Sequence, residues 1–255
     1  MANKYYQPGT LRAAKVSALF SAIAPRYDLI NDLQSFGLHR LWKRKLIGLA
    51  RVEPGDMALD LCCGTGDIAF ALARRGARTV GLDFNEPMLT VARRRLAVRH
   101  RPAAASPARL ATDCVPGFLR GDALNVPFRS DSFDIVAVGY GLRNLASLED
   151  GLREMHRLAK PGGRLLALDF GKPDNAFWRR LYFVYLGFVV PVFGRTCCGD
   201  AQSCAYIIES LRHYPPQRDI AGMMRELGCI QVGIVNLLGG MMSIQHGVKP
   251  VRAMP

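Results

Sequence analysis

The chain has 255 residues, about half of them apolar (49%), so it can bury one substantial core and fits a single domain. Its formal net charge is +13, which favours contact with an anionic surface. Its seven cysteines form no zinc-ligand pattern, and no run of about 20 apolar residues or secretion signal is present. We therefore predict no metal site, no membrane span and reduced thiols in a cytoplasmic protein.

The first 50 residues show helical spacing of apolar side chains. Leu11, Val16, Phe20 and Ile23 recur at this spacing before Pro25, and a second helical stretch is predicted over 38–50. We expect residues 1–50 to form a helical cap on the domain that follows.

After Pro54, short apolar runs alternate with helical ones. The predicted strands cover 57–61, 79–82, 118–119, 133–138 and 164–168, and the predicted helices cover 68–75, 87–98 and 148–159. Uninterrupted apolar strands between helices indicate a parallel sheet with helices on both faces. The fold class is therefore α/β, doubly wound, with residues 51–173 as its cofactor-binding core.

Three later segments interrupt or complete this alternation. Residues 101–117 are rich in Ala and Pro and predict a surface insertion. Residues 174–215 are aromatic-rich and include an uncharged run, 181–193, which predicts either a buried helix or the wall of an apolar substrate pocket. Residues 216–255 end in two strand-like runs, 230–236 and 241–245, which predict a closing hairpin.

The segment Leu59-Asp-Leu-Cys-Cys-Gly-Thr-Gly-Asp67 places a glycine turn between a strand and a helix. Ligands of such sheets bind at this carboxyl edge, where Gly64 and Gly66 let the backbone approach them closely. The spacing also fits a dinucleotide site, and a purely structural turn is a third interpretation. Charge separates them: Asp60 and Asp67 would repel a pyrophosphate but attract the sulfonium and ammonium groups of S-adenosylmethionine.

Two further acids follow the next strands. Asp83 is placed to accept hydrogen bonds from ribose hydroxyls, and Asp122 and Ala123 are placed to meet the adenine. Together with the charge of the turn, they favour S-adenosylmethionine over a nicotinamide cofactor.

Several motifs resemble the ubiquinone/menaquinone biosynthesis C-methyltransferase family. Besides the glycine turn they are Phe20-Ser-Ala-Ile-Ala-Pro-Arg-Tyr-Asp-Leu-Ile-Asn-Asp32, Val138-Gly-Tyr-Gly-Leu-Arg-Asn144, Lys160-Pro-Gly-Gly163 and Asn236-Leu-Leu-Gly-Gly240. The resemblance implies a seven-stranded class I methyltransferase sheet whose last strand is antiparallel. It also implies cofactor contacts by Thr65, Asp83, Asp122 and Ala123, whereas Gly139 replaces a cofactor-contacting serine of some members.

The resemblance implies C-methylation of a polyprenylated quinol, most simply demethylmenaquinol. The alternatives are 2-methoxy-6-polyprenyl-1,4-benzoquinol of ubiquinone synthesis, a soluble phenol or a sterol. An RNA substrate would also suit the charge, but no Asn-Pro-Pro-Tyr loop follows the fourth strand, so no nucleic acid is expected. The sequence leaves the oligomeric state open.

Methylation of a ring carbon requires deprotonation of the quinol, whose hydroxyl has a phenol-like pKa of about 10. Arg143 would stabilise the oxyanion, with the proton passing to water. Asn144 would hold the second oxygen, and Tyr27 and Asp28 would close the site. Structural alternatives stay open: an ion pair for Arg143, caps for Asn144 and Asp28, and core packing for Tyr27.

A polyprenyl tail requires the enzyme to reach its substrate at a bilayer. The positive net charge and the aromatic segment 177–193 both fit peripheral contact with the anionic inner face of the membrane.

Overall fold

The computed structural model describes residues 10–99, 114–193 and 209–251. The strands are β1 (Met57–Leu61), β2 (Arg78–Asp83), β3 (Gly117–Arg120), β4 (Phe133–Gly139), β5 (Ala159–Phe170), β6 (Ile230–Leu237) and β7 (Met242–Val248). The helices are α1 (Thr10–Ile23), α2 (Tyr27–Ser35), α3 (Leu38–Ala50), α4 (Asp67–Ala73), α5 (Glu86–Arg99), α6 (Leu148–Leu158), α7 (Ala176–Phe193) and α8 (Gln217–Glu226). Short 3-10 turns occupy Ala24–Arg26, Leu142–Asn144 and Leu238–Gly240.

The strands form one seven-stranded sheet in the order β3-β2-β1-β4-β5-β7-β6. Strands β1 to β5 pair in parallel, and β7 runs antiparallel to both of its neighbours, β5 and β6. The strand order reverses between β1 and β4, which is where doubly wound sheets bind ligands. The predicted α/β class, the closing hairpin and the antiparallel last strand are confirmed.

Alternate residues of the central strands pack against different helices. Leu59 and Leu61 belong to a buried cluster that contains residues of α6 and α8, whereas Ala58 belongs to one that contains residues of α3 and α4. Helices therefore cover both faces of the sheet. This accounts for the mostly apolar sequences of β1 and β4 and of the central part of β5, since a strand buried on both faces needs no polar alternation.

The N-terminal cap contains a helix that the sequence analysis missed. Pro25 occupies the start of the 3-10 turn Ala24–Arg26, where a missing backbone N–H is tolerated, and α2 begins directly afterwards. Phe36 (φ 49°) and Gly37 (φ 75°) then adopt left-handed conformations and redirect the chain into α3. The helical pattern that ends at Pro25 in the sequence is therefore followed by only a short turn, after which a second helix begins.

Strand β5 begins earlier than predicted. The pairing with β4 passes from Phe133 and Ala159 to Ile135 and Arg164, so residues 160–163 bulge within the bounds of β5 instead of preceding it as a turn. Helix α6 accordingly ends at Leu158, because Ala159 is already extended.

The uncharged run 181–193 lies in α7. Tyr182 and Leu186 are buried against Leu211, but Leu181, Val184 and Tyr185 are exposed. The buried-helix interpretation is therefore wrong for the part of α7 whose side chains are described. Most of the predicted insertion, residues 100–113, and the cysteines at 197 and 198 lie outside the described residues.

No helix within the described ranges is long and apolar enough to span a membrane.

Candidate active site

A cleft lies at the carboxyl edge of the sheet, beside the point where the strand order reverses. Residues from the ends of β1, β2 and β4 line one side of it, and Val16, Ser17 and Phe20 of α1 line another. The cleft brings together these predicted site residues: Tyr27, Gly64, Asp83, Asp122, Ala123, Gly139 and Asn144. The other predicted residues, Asp28, Asp60, Thr65, Gly66 and Arg143, lie in or beside the segments that shape it.

The turn after β1 depends on its glycines. Gly64 and Gly66 have φ values of 55° and 86°, a region that side chains with a Cβ rarely adopt. A Cβ on Gly66 would also lie 2.8 Å from Cζ of Phe118. The adjoining Cys62 is left-handed as well (φ 54°) although it carries a side chain, and such strain is typical of functional sites.

Asp83 holds the turn against the end of β2. One of its carboxylate oxygens accepts a hydrogen bond from Gly64 N at 2.7 Å, and the other accepts one from Asn85 N at 2.8 Å. Burial raises the pKa of Asp83, and these backbone N–H groups partly offset that effect. Each carboxylate oxygen has a second lone pair, so Asp83 can also accept hydrogen bonds from hydroxyls of a ligand.

Asp122 and Ala123 follow β3 at the far end of the cleft. Asp122 is exposed, and one of its carboxylate oxygens accepts a hydrogen bond from Leu124 N at 2.9 Å. Ala123 is buried (5% exposed). Both residues line the cleft, where the exposed carboxylate of Asp122 can accept a further hydrogen bond from an amino group of a ligand.

Asp60 is buried beneath the turn and does not line the cleft. It is 1% exposed, and one of its oxygens accepts a hydrogen bond from Ala69 N at 2.9 Å. Burial raises its pKa to about 8, against the lowering effects of the Ala69 N–H and Lys43. The predicted role of Asp60 as an anion facing the cofactor is therefore wrong, because its buried position makes it a support for the turn and the start of α4.

Asp67 is also neutralised within the protein. Lys43 Nζ lies 2.7 Å from one of its oxygens, and Arg95 Nη2 lies 2.5 Å from the other. Burial alone would raise the pKa of Asp67, but the two cations more than offset this and hold it below its usual range. The charge argument for the cofactor therefore does not rest on Asp67.

Asp28 joins the N-terminal cap to the same network. It accepts a hydrogen bond from the Thr65 hydroxyl at 2.7 Å, and Arg95 Nη1 lies 3.0 Å from its other oxygen. Thr65 is thus buried against α2, with its side chain directed to Asp28. Tyr27 packs edge-on against Phe20, with 6.1 Å between ring centroids, and its ring lies over Gly64.

The charge of the cleft itself fits S-adenosylmethionine. Its lining contains the carboxylates Asp83 and Asp122 and, among the described residues, no lysine or arginine. Such a lining attracts a sulfonium and an ammonium group and disfavours a pyrophosphate. Charge therefore still favours S-adenosylmethionine, but the carboxylates responsible are Asp83 and Asp122 instead of Asp60 and Asp67.

Gly139 faces Ile68 across the edge of the cleft. A Cβ added to Gly139 would overlap Cδ1 of Ile68, whose side chain is 4% exposed. A serine at this position would therefore require the isoleucine to move. This packing gives a physical reason for the departure from the family pattern.

Arg143 lies beside the cleft in an ion pair with Asp169. Arg143 Nη1 is 3.0 Å from an oxygen of Asp169, and the two side chains are 9% and 1% exposed. The guanidinium also lies over the ring of Phe170, 4.7 Å from its centroid. Burial raises the pKa of Asp169, and Arg143 counteracts it. Asn144, which lines the cleft, donates from Nδ2 to Tyr140 O at 3.0 Å.

Asn85 and Tyr140 are among the cleft residues that were not predicted from the sequence. Asn85 is 5% exposed; its oxygen caps α5 by accepting from Met88 N at 3.1 Å, and its amide donates to Ser17 O and to the Ser21 hydroxyl, each at 2.8 Å. An asparagine just before Glu86-Pro87 is a typical N-cap, so the sequence contains a signal for this residue.

Tyr140 also lines the cleft, and its backbone is left-handed with a φ of 62°. The residues around it in the sequence carry no signal of this conformation.

The family model that matches the chain is described as the ubiE/COQ5 methyltransferase family, and it matches residues 9–249. A ubiquinone/menaquinone biosynthesis C-methyltransferase UbiE of Ectopseudomonas mendocina is 39% identical over 95% of this chain and 92% of its own length. A demethylmenaquinone methyltransferase of Desulfitobacterium hafniense is 37% identical with the same coverages, 95% and 92%.

Solved structures share the fold at low sequence identity. A putative methyltransferase of Haloferax volcanii, solved in complex with the Trm112 methyltransferase activator, superposes with a TM-score of 0.61 at 19% identity over 91% of this chain and 97% of its own. A possible histamine N-methyltransferase of Thermotoga maritima gives 0.60 at 16% identity over 91% and 98%. The predicted fold, the methyltransferase class and the cofactor S-adenosylmethionine are confirmed.

The raised pKa of Asp60 predicts a specific pH dependence of stability. The pKa of this carboxyl is about 3.9 in the unfolded chain and about 8 in the folded protein, so the folded protein binds the proton more tightly. The contribution of that proton to the free energy of unfolding is therefore greatest below pH 4 and is lost as the pH rises towards 8. Relative to Asp60→Asn, which keeps an acceptor for Ala69 N, the unfolding free energy of the wild type should fall by up to about 1.4 kcal/mol per pH unit. Urea denaturation from pH 5 to pH 8 measures this.

Asp134→Asn is the control for this measurement. Burial would raise the pKa of Asp134, but hydrogen bonds from Lys160 and Met57 N lower it overall, so it stays ionised across the window. Its stability curve should run parallel to that of the wild type. A parallel curve for Asp60→Asn would mean that Asp60 is ionised throughout.

Proposed function

The chain belongs to the ubiE/COQ5 methyltransferase family, and we propose that it methylates a ring carbon of a polyprenylated quinol, with demethylmenaquinol as its substrate. The observation that carries this proposal is the match over residues 9–249 together with the placement of Arg143 and Asn144 at the end of β4, beside the cleft. Both relatives described above are named for menaquinone synthesis, whereas only one is also named for ubiquinone. The benzoquinol is the alternative substrate.

Different residues of the cleft contact different parts of the cofactor. Asp83 is the acceptor for the ribose hydroxyls, and Asp122 with Ala123 meets the adenine. Gly64, Gly66 and Gly139 allow close approach of the backbone, while Asp60 and Thr65 support the turn from beneath. S-adenosylmethionine, when bound, supplies an electrophilic methyl group.

The acceptor ring becomes reactive when one hydroxyl loses its proton to water. The ring carbon would then supply the electron pair of the new carbon–carbon bond to the methyl group of bound S-adenosylmethionine, which would be left as the neutral thioether, and the ring proton would leave to water. Arg143 stabilises the developing quinolate by charge and hydrogen bonding. Asp169 keeps the guanidinium in place at 3.0 Å, so it needs little reorganisation.

The remaining site residues position the reactants. Asn144 lines the cleft and fixes the second ring oxygen. Tyr27 covers the glycine turn and excludes water from the transfer path. Asp28 acts indirectly, because its contacts with Thr65 and Arg95 hold the cap over the cofactor.

A methyl-transfer assay with labelled S-adenosylmethionine tests the substrate. Short-chain demethylmenaquinol and the methoxy-benzoquinol are offered side by side under reducing conditions, and label is expected in the naphthoquinol. Label only in the benzoquinol would assign the alternative. If neither quinol is labelled although the cofactor still binds, both quinols are excluded as substrates. A soluble phenol or a sterol would then be the remaining candidate.

The role of Arg143 is tested by Arg143→Lys, which keeps a positive charge beside Asp169 but loses the planar pair of donors. We expect kcat for the quinol to fall by roughly 10²–10³, as for the loss of an oxyanion donor. The dissociation constant of S-adenosylmethionine, measured by calorimetry, should stay unchanged because Arg143 is absent from the described lining of the cofactor cleft.

Arg153→Lys is the matched control. Arg153 pairs with Asp150 on the exposed side of α6 and is 64% exposed, so full activity is expected. Full activity of Arg143→Lys as well would assign Arg143 to a structural ion pair with Asp169.

We further propose that the exposed side of α7 contacts the bilayer. Phe177, Leu181, Val184 and Tyr185 follow helical spacing and are 41–77% exposed. Arg179 and Arg180 on the same helix are exposed as well. An apolar helix face beside arginines, on a chain of net charge +13, matches the headgroup region of an anionic membrane.

Co-sedimentation with anionic phospholipid vesicles at low salt measures this contact. The wild type should bind, and binding should weaken as salt is added, because the charges are then screened. The double change Phe177→Ser, Leu181→Ser should weaken binding about tenfold or more, since it removes two apolar side chains from the interface. Val98→Ser, an exposed apolar position (63%) on α5, is the control and should bind like the wild type. A wild type that ignores such vesicles would contradict the docking role.

A further inference from the structure

Three tyrosine hydroxyls are buried without a hydrogen-bond partner among the described residues. They belong to Tyr140, Tyr182 and Tyr214. Tyr182 and Tyr214 are only 4% and 6% exposed. Buried hydroxyls are nearly always hydrogen-bonded, because removing them from water without a partner costs free energy. Three exceptions in one structure therefore require an explanation.

These tyrosines come from different parts of the chain. Tyr140 follows β4, Tyr182 lies in α7, and Tyr214 follows the helical residues 209–213. Phe170, at the end of β5, links two of them: its ring lies 6.2 Å from that of Tyr140, and it packs against the cluster that contains Tyr182. Arg143 covers the same ring at 4.7 Å.

The Arg143–Asp169 ion pair supplies the charge around Tyr182 and Tyr214. Burial raises the pKa of both tyrosines, and both lie close enough to Arg143 and Asp169 for each charge to shift their pKa. Their hydroxyls therefore stay protonated at physiological pH. They can donate a hydrogen bond, which is what an oxyanion requires.

Tyr140 connects this cluster with the cofactor cleft. It lines the cleft while its ring packs on Phe170. Through Phe170, the cluster that contains Tyr182 is thus joined to the edge of the cleft where the methyl group would be presented.

We infer that the hydroxyls of Tyr182 and Tyr214 donate hydrogen bonds to a ring oxygen of the aromatic acceptor and hold it beside Arg143. This inference rests on the proposed function and adds two substrate-binding residues to it. Both donors are neutral, so they bind the hydroxyl of the quinol as well as its oxyanion, whereas Arg143 favours the oxyanion.

The variants Tyr182→Phe and Tyr214→Phe remove only the hydroxyls. We expect each to lower kcat/KM for the short-chain quinol about three- to tenfold, the effect of losing one hydrogen bond to the ligand. The dissociation constant of S-adenosylmethionine should not change. The melting temperature should not fall, because the hydroxyls have no described partner in the free protein.

A binding measurement separates this inference from the reaction. In a Trp42→Phe background, Trp178 is the remaining tryptophan, one helical turn before Tyr182. A short-chain naphthoquinone should quench its fluorescence, and both tyrosine variants should weaken the binding three- to tenfold. Ser132→Ala is the control, because it removes a hydroxyl that donates to Arg129 O outside the described lining of the cleft, and it should match the wild type in the binding and kinetic assays.

The outcomes distinguish the two proposals. If the wild type methylates a quinol and the tyrosine variants equal Ser132→Ala, the tyrosine inference is wrong and the proposed function stands. Lower melting temperatures with unchanged kinetics would assign the hydroxyls a structural role and overturn it as well. If the wild type neither methylates nor binds a quinone, both proposals fail.

Discussion

The geometry of the cleft depends on a chain of ion pairs beneath the N-terminal cap. Lys43 of α3 and Arg95 of α5 share Asp67, and Arg95 also pairs with Asp28 of α2, which binds the Thr65 hydroxyl. Three helices, α2, α3 and α5, are thereby fixed to the glycine turn and to Asp67, which follows it. Since the side chains of Lys43, Asp67 and Arg95 are all no more than 25% exposed, removing one of them would leave a partly buried charge without its partner. The wall of the cleft that holds Tyr27 is therefore positioned by electrostatics as much as by packing.

A consequence is that two different environments lie on either side of Tyr140. On the cofactor side, Asp83 and Asp122 face the cleft, and Asp67 is neutralised by Lys43 and Arg95. On the other side, the buried Arg143–Asp169 pair has little net charge. A cationic methyl donor is attracted to the first environment. Under the proposed function, a neutral quinol would enter the second without leaving a buried charge unpaired, and charge would develop beside Arg143 only when the quinol ionises.

The sequence predicted what local pattern controls. Apolar continuity identified β1, β4 and β5, and the glycine turn located the cleft, because both follow from the burial and backbone demands of neighbouring residues. Contacts between residues that are distant along the chain could not be predicted in this way. Asp67 was interpreted as a cofactor-facing anion because nothing in its neighbourhood reveals Lys43, 24 residues earlier, or Arg95, 28 residues later. For the same reason nothing in the sequence indicates that Tyr140 and the cluster that contains Tyr182 meet at Phe170.

Helix α7 connects the chemistry with the source of the substrate. Its buried side carries Tyr182 and Leu186, whereas its opposite side exposes Phe177 and Leu181. A polyprenylated quinol must place its ring beside Arg143 while its tail stays in an apolar medium. Helix α7 would meet both requirements within a few turns, because it carries the hydroxyl of Tyr182 on its buried side and apolar side chains on its exposed side. Under the two proposals the length of the tail would matter little to the ring site, because the tail would lie along the outer side of the helix and only the ring would reach the tyrosines.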